Sequence, residues 1–302
     1  MGRRTIAGHK LTFNKRGKRE ELVCPAVLAG ERLQDIFVRW AERLMGEGVI
    51  SVSGQSFLRV ENVERFSDHI VIVDTMSGKA GEEGVVYDTE SGESRLTLTA
   101  KDVPTSSARA ILVVPPRGDR ALWFSEYSAR SSGASLLLEY FKKNWNNFGT
   151  GTTFNKERLV AAEIALENGI VTEVEVRNIR RSDDRSEGIV SHSFKPSKSN
   201  PLSGMIINVF RQNRANAYDL VGINAPDASV ESQIYVSVNV DGHTRKVEIF
   251  NPDDGVYFRE VLNEADKPIL SDSELIEYCA SEAKTFLERS GCDWEDAWAH
   301  RG

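Results

Sequence analysis

Residues Ala108–Phe148, ARAILVVPPRGDRALWFSEYSARSSGASLLLEYFKKNWNNF, form one complete supersecondary unit within a chain of 302 residues. The apolar run Ala110 to Val114 meets a Pro-Pro-Arg-Gly-Asp turn, and a second run rich in aromatics (Leu122, Trp123, Phe124, Tyr127) follows it. Two extended runs around a Pro/Gly turn predict a hairpin. After Ser131-Ser132-Gly133, the residues Leu136, Leu137, Tyr140, Phe141, Asn144 and Trp145 recur at helical spacing, so a helix that buries one side is expected. Trp145 shares that side with Leu138 and Phe141, which makes it core rather than a stacking surface.

Upstream, Leu33, Ile36, Phe37, Trp40, Ala41 and Leu44 place an amphipathic helix in GERLQDIFVRWAERLMGEG, ended by Gly46 and Gly48. Residues 10–24 alternate loosely around NKRGKRE, as in a short hairpin with a cationic tip. Short strands are expected at 57–60, 69–73, 84–87 and 95–99, and brief polar turns between them argue for an antiparallel sheet. The 108–148 unit adds two strands to that sheet and a helix across its face.

Downstream, 169–176 alternates as a half-buried strand, IRRSDDRSEG reads as a charged loop, and HSFKPSKSNPLSG reads as a surface connection. Residues 205–210 form a further apolar run. Asp241-Gly242 between 233–240 and 245–250 is the strongest hairpin signal in the chain. Ser271 or Ser273 caps a final helix over 271–290. The reading is α+β: mostly antiparallel sheets of short strands covered by a few helices, in two subdomains. It divides the chain into a basic N-terminal arm (1–19), an N-terminal α+β domain (20–150) and a C-terminal α+β domain (151–302).

The composition is globular, with 40% hydrophobic residues and a net charge of −7. No apolar run is long enough to cross a bilayer, no apolar leader follows Met1, and Ile6 stands where a myristoylation signal wants Ser or Thr. Three cysteines (Cys24, Cys279, Cys292) without a CxxC pair suit a reducing compartment, so a cytoplasmic location is expected. The charge is uneven: residues 1–19 hold seven Lys or Arg and no acid, whereas 260–302 is acidic.

Phosphate-cradling glycine motifs, HExxH and GxSxG are absent, and no two of the five histidines lie at helical ligand spacing. No cofactor and no bound metal are expected. His192, in SHSFK, is the histidine least easily explained by structure. Carboxylates near strand ends (Asp68, Asp74, Asp88, Glu173, Glu175, Asp253, Asp254) and Lys246 with Glu248 after Asp241 offer a metal-dependent nuclease or phosphodiesterase as the alternative. Alternating acids and bases are also the ordinary solvent face of a sheet. The favoured reading is a non-enzymatic protein that binds nucleic acid or a protein partner. Its expected contacts are Arg3, Arg4, Lys15, Arg16, Lys18 and Arg19, with Arg177, Arg180, Arg181, Lys195 and Lys198. A third reading is a structural or assembly protein, including a homo-oligomer, whose acidic C-terminal helix docks a partner.

In layout, ILVVPPRGDRALWFSEYSARSSGASLLLEYFKKNW resembles a unit of several bacterial proteins of about this length. Some of them are associated with antiphage defence, the DNA-binding subunit of the Kiwa system among them. The similarity extends from the strands near Phe57 to Trp145 and returns at VNVDGHTRKVEIF. The resemblance implies a bacterial protein that works beside a partner as an accessory component of defence, and carries over no catalytic residue.

Overall fold

A computed structural model describes residues 3–53, 55–81, 83–128, 133–159, 170–181, 187–197, 215–224, 231–240, 243–250, 257–263, 267–290, 292 and 294–300. The first part of the chain contributes β1 (Arg4–Lys15), α1 (Leu33–Glu47), β2 (Val49–Ser53), β3 (Ser56–Arg65), β4 (Ile70–Lys79), β5 (Gly84–Tyr87), β6 (Ser94–Leu98), β7 (Thr105–Val113), β8 (Arg120–Ser128), α2 (Gly133–Asn144) and β9 (Thr152–Arg158). Then follow β10 (Ile170–Arg181), β11 (Glu187–Phe194), α3 (Ala215–Leu220), β12 (Glu231–Val240), β13 (His243–Phe250), β14 (Tyr257–Asn263) and α4 (Asp272–Arg289). The fold is α+β with mostly antiparallel strands.

Two compact units divide the chain: Met1–Leu159 with Asn263–Gly302, and Val160–Leu262. In the first unit the strand order is β1-β8-β7-β4-β3-β2, and β9 pairs with β1 on the edge away from β8, over Lys15 to His9. The sequence expectation placed the boundary near residue 150 and gave the last helix to the second half. The difference has a physical origin in the two faces of this sheet.

One face follows directly from the period of two along a strand. Leu11 and Phe13 of β1, Leu58 and Val60 of β3, Val71 and Val73 of β4, Ala110 and Leu112 of β7, and Trp123 of β8 meet Ile36, Phe37, Trp40 and Leu44 of α1 and Leu137, Leu138 and Phe141 of α2. Aromatic rings lock this layer edge to face: Phe37 stands 5.4 Å from Trp123 and 5.2 Å from Phe141, nearly perpendicular to each. Helix α2 approaches β4 closely, since a Cβ on Gly133 would collide with Thr75 Oγ1. Glycine is therefore required at that position.

The alternate residues of the same strands, Ile70, Ile72, Ile111, Val113, Leu122 and Phe124, are buried on the opposite face. Helix α4 covers them by packing on β7 with Leu275, Ile276, Cys279, Ala283 and Leu287. Its start is held twice. A capping box joins Ser271 and Glu274, with Ser271 N donating to Glu274 Oε2 at 2.7 Å. Arg109 of β7 donates to Leu270 O and to Asp272 Oδ1, both at 2.8 Å.

Behind that contact lies a buried ionic network. Glu126 of β8, 1% exposed, accepts from Arg109 Nε, a second guanidinium nitrogen and the Arg109 backbone N–H, and Arg4 lies 3.7 Å away. Burial alone would lower the Arg109 pKa, but its bonds to Glu126 and then Asp272 raise it, so the guanidinium stays charged. Asp74, beside Arg109 on β4, is raised by burial despite a hydrogen bond from Asn62.

Three other expectations are corrected here. Residues 4–15 of the anticipated arm are a strand inside the sheet, because Ala7, Leu11 and Phe13 bury against its neighbours. Strands β5 and β6, expected in the main sheet, pair with each other among the described residues, as a separate ribbon. Arg177, Arg180 and Arg181 lie within β10, and His192 lies on β11 rather than in a loop.

In the second unit the order is β11-β10-β12-β13-β14, with antiparallel pairs throughout. Val174, Val176, Ile234, Val236, Val238 and Val247 are among its buried apolar residues. The 205–210 run, Lys198 and the Asp241-Gly242 turn lie outside the described residues.

Two outcomes are expected in urea unfolding. Phe141→Ala lowers stability by about 3–5 kcal/mol, because its ring touches several aromatics that cannot all close the void. Arg109→Met leaves Glu126 buried with one cation and costs about 3–5 kcal/mol. A shift near zero for Arg109→Met would show that the network does not hold the fold.

Candidate functional site

On β1, Lys10, Thr12 and Asn14 alternate with the core residues Leu11 and Phe13, so they occupy the face away from α1 and α2. Their partners across β9 are Glu157, Asn155 and Thr153, which makes a floor of polar side chains two strands wide. The turn after β1 rises over one side. Lys15 N donates to Glu21 O at 2.9 Å, Lys18 N donates to Lys15 O at 2.9 Å, and Val23 N donates to Phe13 O at 2.7 Å. Gly17 takes φ 80° at the bend, a conformation that favours glycine. Asn14 fixes the same turn by donating to the Arg19 carbonyl.

The opposite wall is the start of β8, where Arg120 faces Thr12 across the ladder and donates to Asp119 Oδ1 at 2.6 Å. That hydrogen bond, against a smaller opposing effect of burial, holds the Asp119 carboxyl below its usual range. These elements enclose an open cleft of about 720 Å³, lined by Lys10, Lys15, Lys18, Arg19 and Arg120 against the acids Asp119 and Glu157. Thr12, Asn14, Thr153 and Asn155 supply uncharged donors and acceptors, and among the described residues no aromatic side chain lines the space.

The cations differ in how far they are already neutralised. Lys10 Nζ is 2.6 Å from Glu157, whereas Lys15 and Lys18 share one carboxylate, Glu21. Arg19 has no carboxylate partner among the described residues. Exposed pairs of this kind contribute little and exchange readily for another anion.

Of the N-terminal cations expected from the sequence, Lys15, Lys18 and Arg19 meet in this cleft. Arg16 does not line it, since its guanidinium donates to Asn146 Oδ1 at 2.8 Å. Arg3 and Arg4 lie at the far end of β1, and Arg4, 7% exposed, is committed to Glu126 and Ser107. Lys10 and Arg120, outside the expected set, complete the ring. Their signal in the sequence is the alternation Lys10-x-Thr12-x-Asn14 between core residues, and the pairing that brings β9 and β8 beside it is not local.

In the other unit, Arg177 Nε donates to Glu175 Oε1 at 2.6 Å and its guanidinium lies 4.9 Å from the Tyr235 ring centre. Lys246 Nζ lies 3.0 Å from Glu175 and 5.0 Å from the same ring. Burial would raise the Glu175 carboxyl, but bonds from Arg177 and Lys246 bring it below its usual range. Arg180 and Arg181 are on β10, and their side chains fall outside the described residues, as does Lys198. Lys195 is exposed, 3.5 Å from Glu173.

The nuclease alternative needs clustered ligands. Among the described residues no group of three or more His, Cys, Asp or Glu is placed to hold a metal ion. Asp88 serves a turn, and Asp253 and Asp254 lie outside the described residues. No described helix is long and apolar enough to cross a membrane. Comparison with family models, with curated proteins and with solved structures gave no match.

Among the histidines whose side chains are described, His9 carries the strong electrostatic shift, and it lies buried in β1. Burial first, then the nearby charges of Lys156 and Arg158, push its pKa down to about 3. Above about pH 6.5 the ring is neutral in both folded and unfolded chains; below that, only the unfolded chain takes up the proton. Stability therefore falls as pH drops from 6.5 toward 3, by roughly 2 kcal/mol at about pH 5. His9→Leu should flatten that slope in urea midpoints measured at pH 7 and 5; an unchanged slope would assign it to other groups.

Proposed function

We propose that this chain is a non-enzymatic polyanion-binding protein that holds the phosphates of nucleic acid in the β1–β9 cleft. One observation supports it above the others: five cationic side chains and two acids surround a single open cleft, in a chain whose net charge is −7. A protein acidic overall has reason to repel polyanions, so a local concentration of Lys and Arg over a neutral polar floor favours the reading. The described lining is polar and charged without an aromatic ring, which favours recognition of phosphate and sugar over stacked bases. Binding is then independent of sequence and steeply salt-dependent.

The test is fluorescence anisotropy with labelled duplex DNA, single-stranded DNA and RNA over a salt series. Lys18→Glu with Arg19→Glu should weaken binding by roughly tenfold or more, and each lost phosphate contact should reduce the salt slope by about one. Both residues are exposed, so the fold should tolerate the change. Absence of salt-sensitive binding by the wild type, or equal binding by the variant, would reject the proposal.

A further inference from the structure

The ribbon β5–β6 stands apart from the sheet, and all four residues of β5 are exposed. Val86 and Leu96 are directly opposite each other on one face, 43% and 55% exposed. Isolated two-stranded ribbons are marginal in water, yet the tip of this one is tied by short-range bonds. Asp88 Oδ1 accepts from the N–H groups of Glu90 and Ser91 at 2.9 Å each, and Arg95 Nε donates to the same carboxylate at 3.0 Å. That pairing consumes the cation of the tip. Glu83, Glu90 and Glu93 then have no cationic partner among the described residues.

The ladder register sets where the ribbon stands relative to the cleft. It springs from the ends of β4 and β7, where Gly78 faces Thr105. This is the end of the sheet that carries Arg4 opposite Ser128, with Ser106 Oγ 3.1 Å from Ser128 Oγ. The cleft is at the other end, where Thr12 faces Arg120. The twelve residues of β1 separate the two ends by roughly 35 Å. Strands of four and five residues reach only about 15 Å, so a copy cannot place its ribbon in its own cleft.

We propose that copies of this chain associate head to tail, the acidic ribbon of one docking in the cationic cleft of the next. Glu90 and Glu93 meet Lys18 and Arg19. Val86 and Leu96 bury against Leu22 on the cleft rim, 45% exposed. The charges of the two surfaces are opposite, and each offers an apolar side chain that otherwise faces water. Such a contact joins two different surfaces, so it extends into a chain or closes into a ring. The inference uses the charge of the cleft described above and does not require that nucleic acid binds there.

Sedimentation velocity on the full chain tests it. Wild-type protein should self-associate at about 0.1 M salt, and the association should weaken by roughly tenfold or more at about 1 M, where the screening length falls from about 10 to 3 Å. Lys18→Glu with Arg19→Glu makes the cleft acidic, and Glu90→Lys with Glu93→Lys makes the ribbon basic. Each variant alone should be monomeric, and a mixture of the two should associate, because each ribbon then fits the other's cleft. Recovery in the mixture excludes misfolding as the cause of the single losses. A monomeric wild type at low salt, or a mixture that stays monomeric, would overturn the proposal. The ribbon variant should bind duplex DNA at least as tightly as the wild type, since its cleft is unchanged and no ribbon competes for it, so loss of assembly and loss of nucleic-acid binding are read separately.

Discussion

Strand β8 is buried along both faces for seven consecutive residues, and a strand in that position needs two covers. On one side Trp123 is enclosed by α1 and α2. On the other, Leu122 and Phe124 are apolar but Glu126 is a carboxylate. A buried carboxylate is tolerable only when its acceptors are filled, and Arg109 fills them from the adjacent strand. Arg109 in turn has one nitrogen left for the carbonyl and carboxylate at the start of α4. The ionic network and the second cover are thus one arrangement.

The path of the chain follows from that requirement. Residues up to Leu159 build the sheet and one cover, and the other cover is supplied only when the chain returns at Asn263. The second unit is therefore inserted within the first rather than appended to it. Deleting the C-terminal helix as a separate tail would expose Ile72, Ile111 and Phe124 and leave Arg109 half satisfied, so the acidic C-terminal region is part of the first unit's core.

What could be read from the sequence divides along the same line. The 108–148 unit and the capped final helix depend on local signals, a Pro/Gly turn, helical spacing and Ser271 with Glu274, and the structure has them. Strand β1 was masked by its own charges: Arg4 and Lys10 drew attention to a basic arm while Ala7, Leu11 and Phe13 were marking a buried face. The β9 partner lies about 140 residues away and announces itself only as a mixed segment, so half of the cleft floor had no local signature. For β5 and β6, Val85, Val86 and Leu96 look like any sheet strand. The acids on either side of them, Glu83 and the Asp88–Glu93 turn, are what distinguish a ribbon in solvent from a strand in the sheet.

The cleft persists for a reason that the core makes plain. Helix α4 covers the sheet where its second face is apolar, over β7 and its neighbours. Toward β1 and β9 that face changes to Lys10, Thr12, Asn14, Thr153, Asn155 and Glu157, whose groups lose more than they gain when sealed from water. Hydrophobic burial supplies no force to close this part of the sheet, so it remains open to solvent beside the Lys15–Glu21 turn. The cations around it repel one another unless an anion sits between them, and among the described residues Asp119, Glu157 and Glu21 answer them. A surface left open by its polarity and short of anions is completed most simply from outside, by phosphates or by the carboxylates of a neighbouring copy.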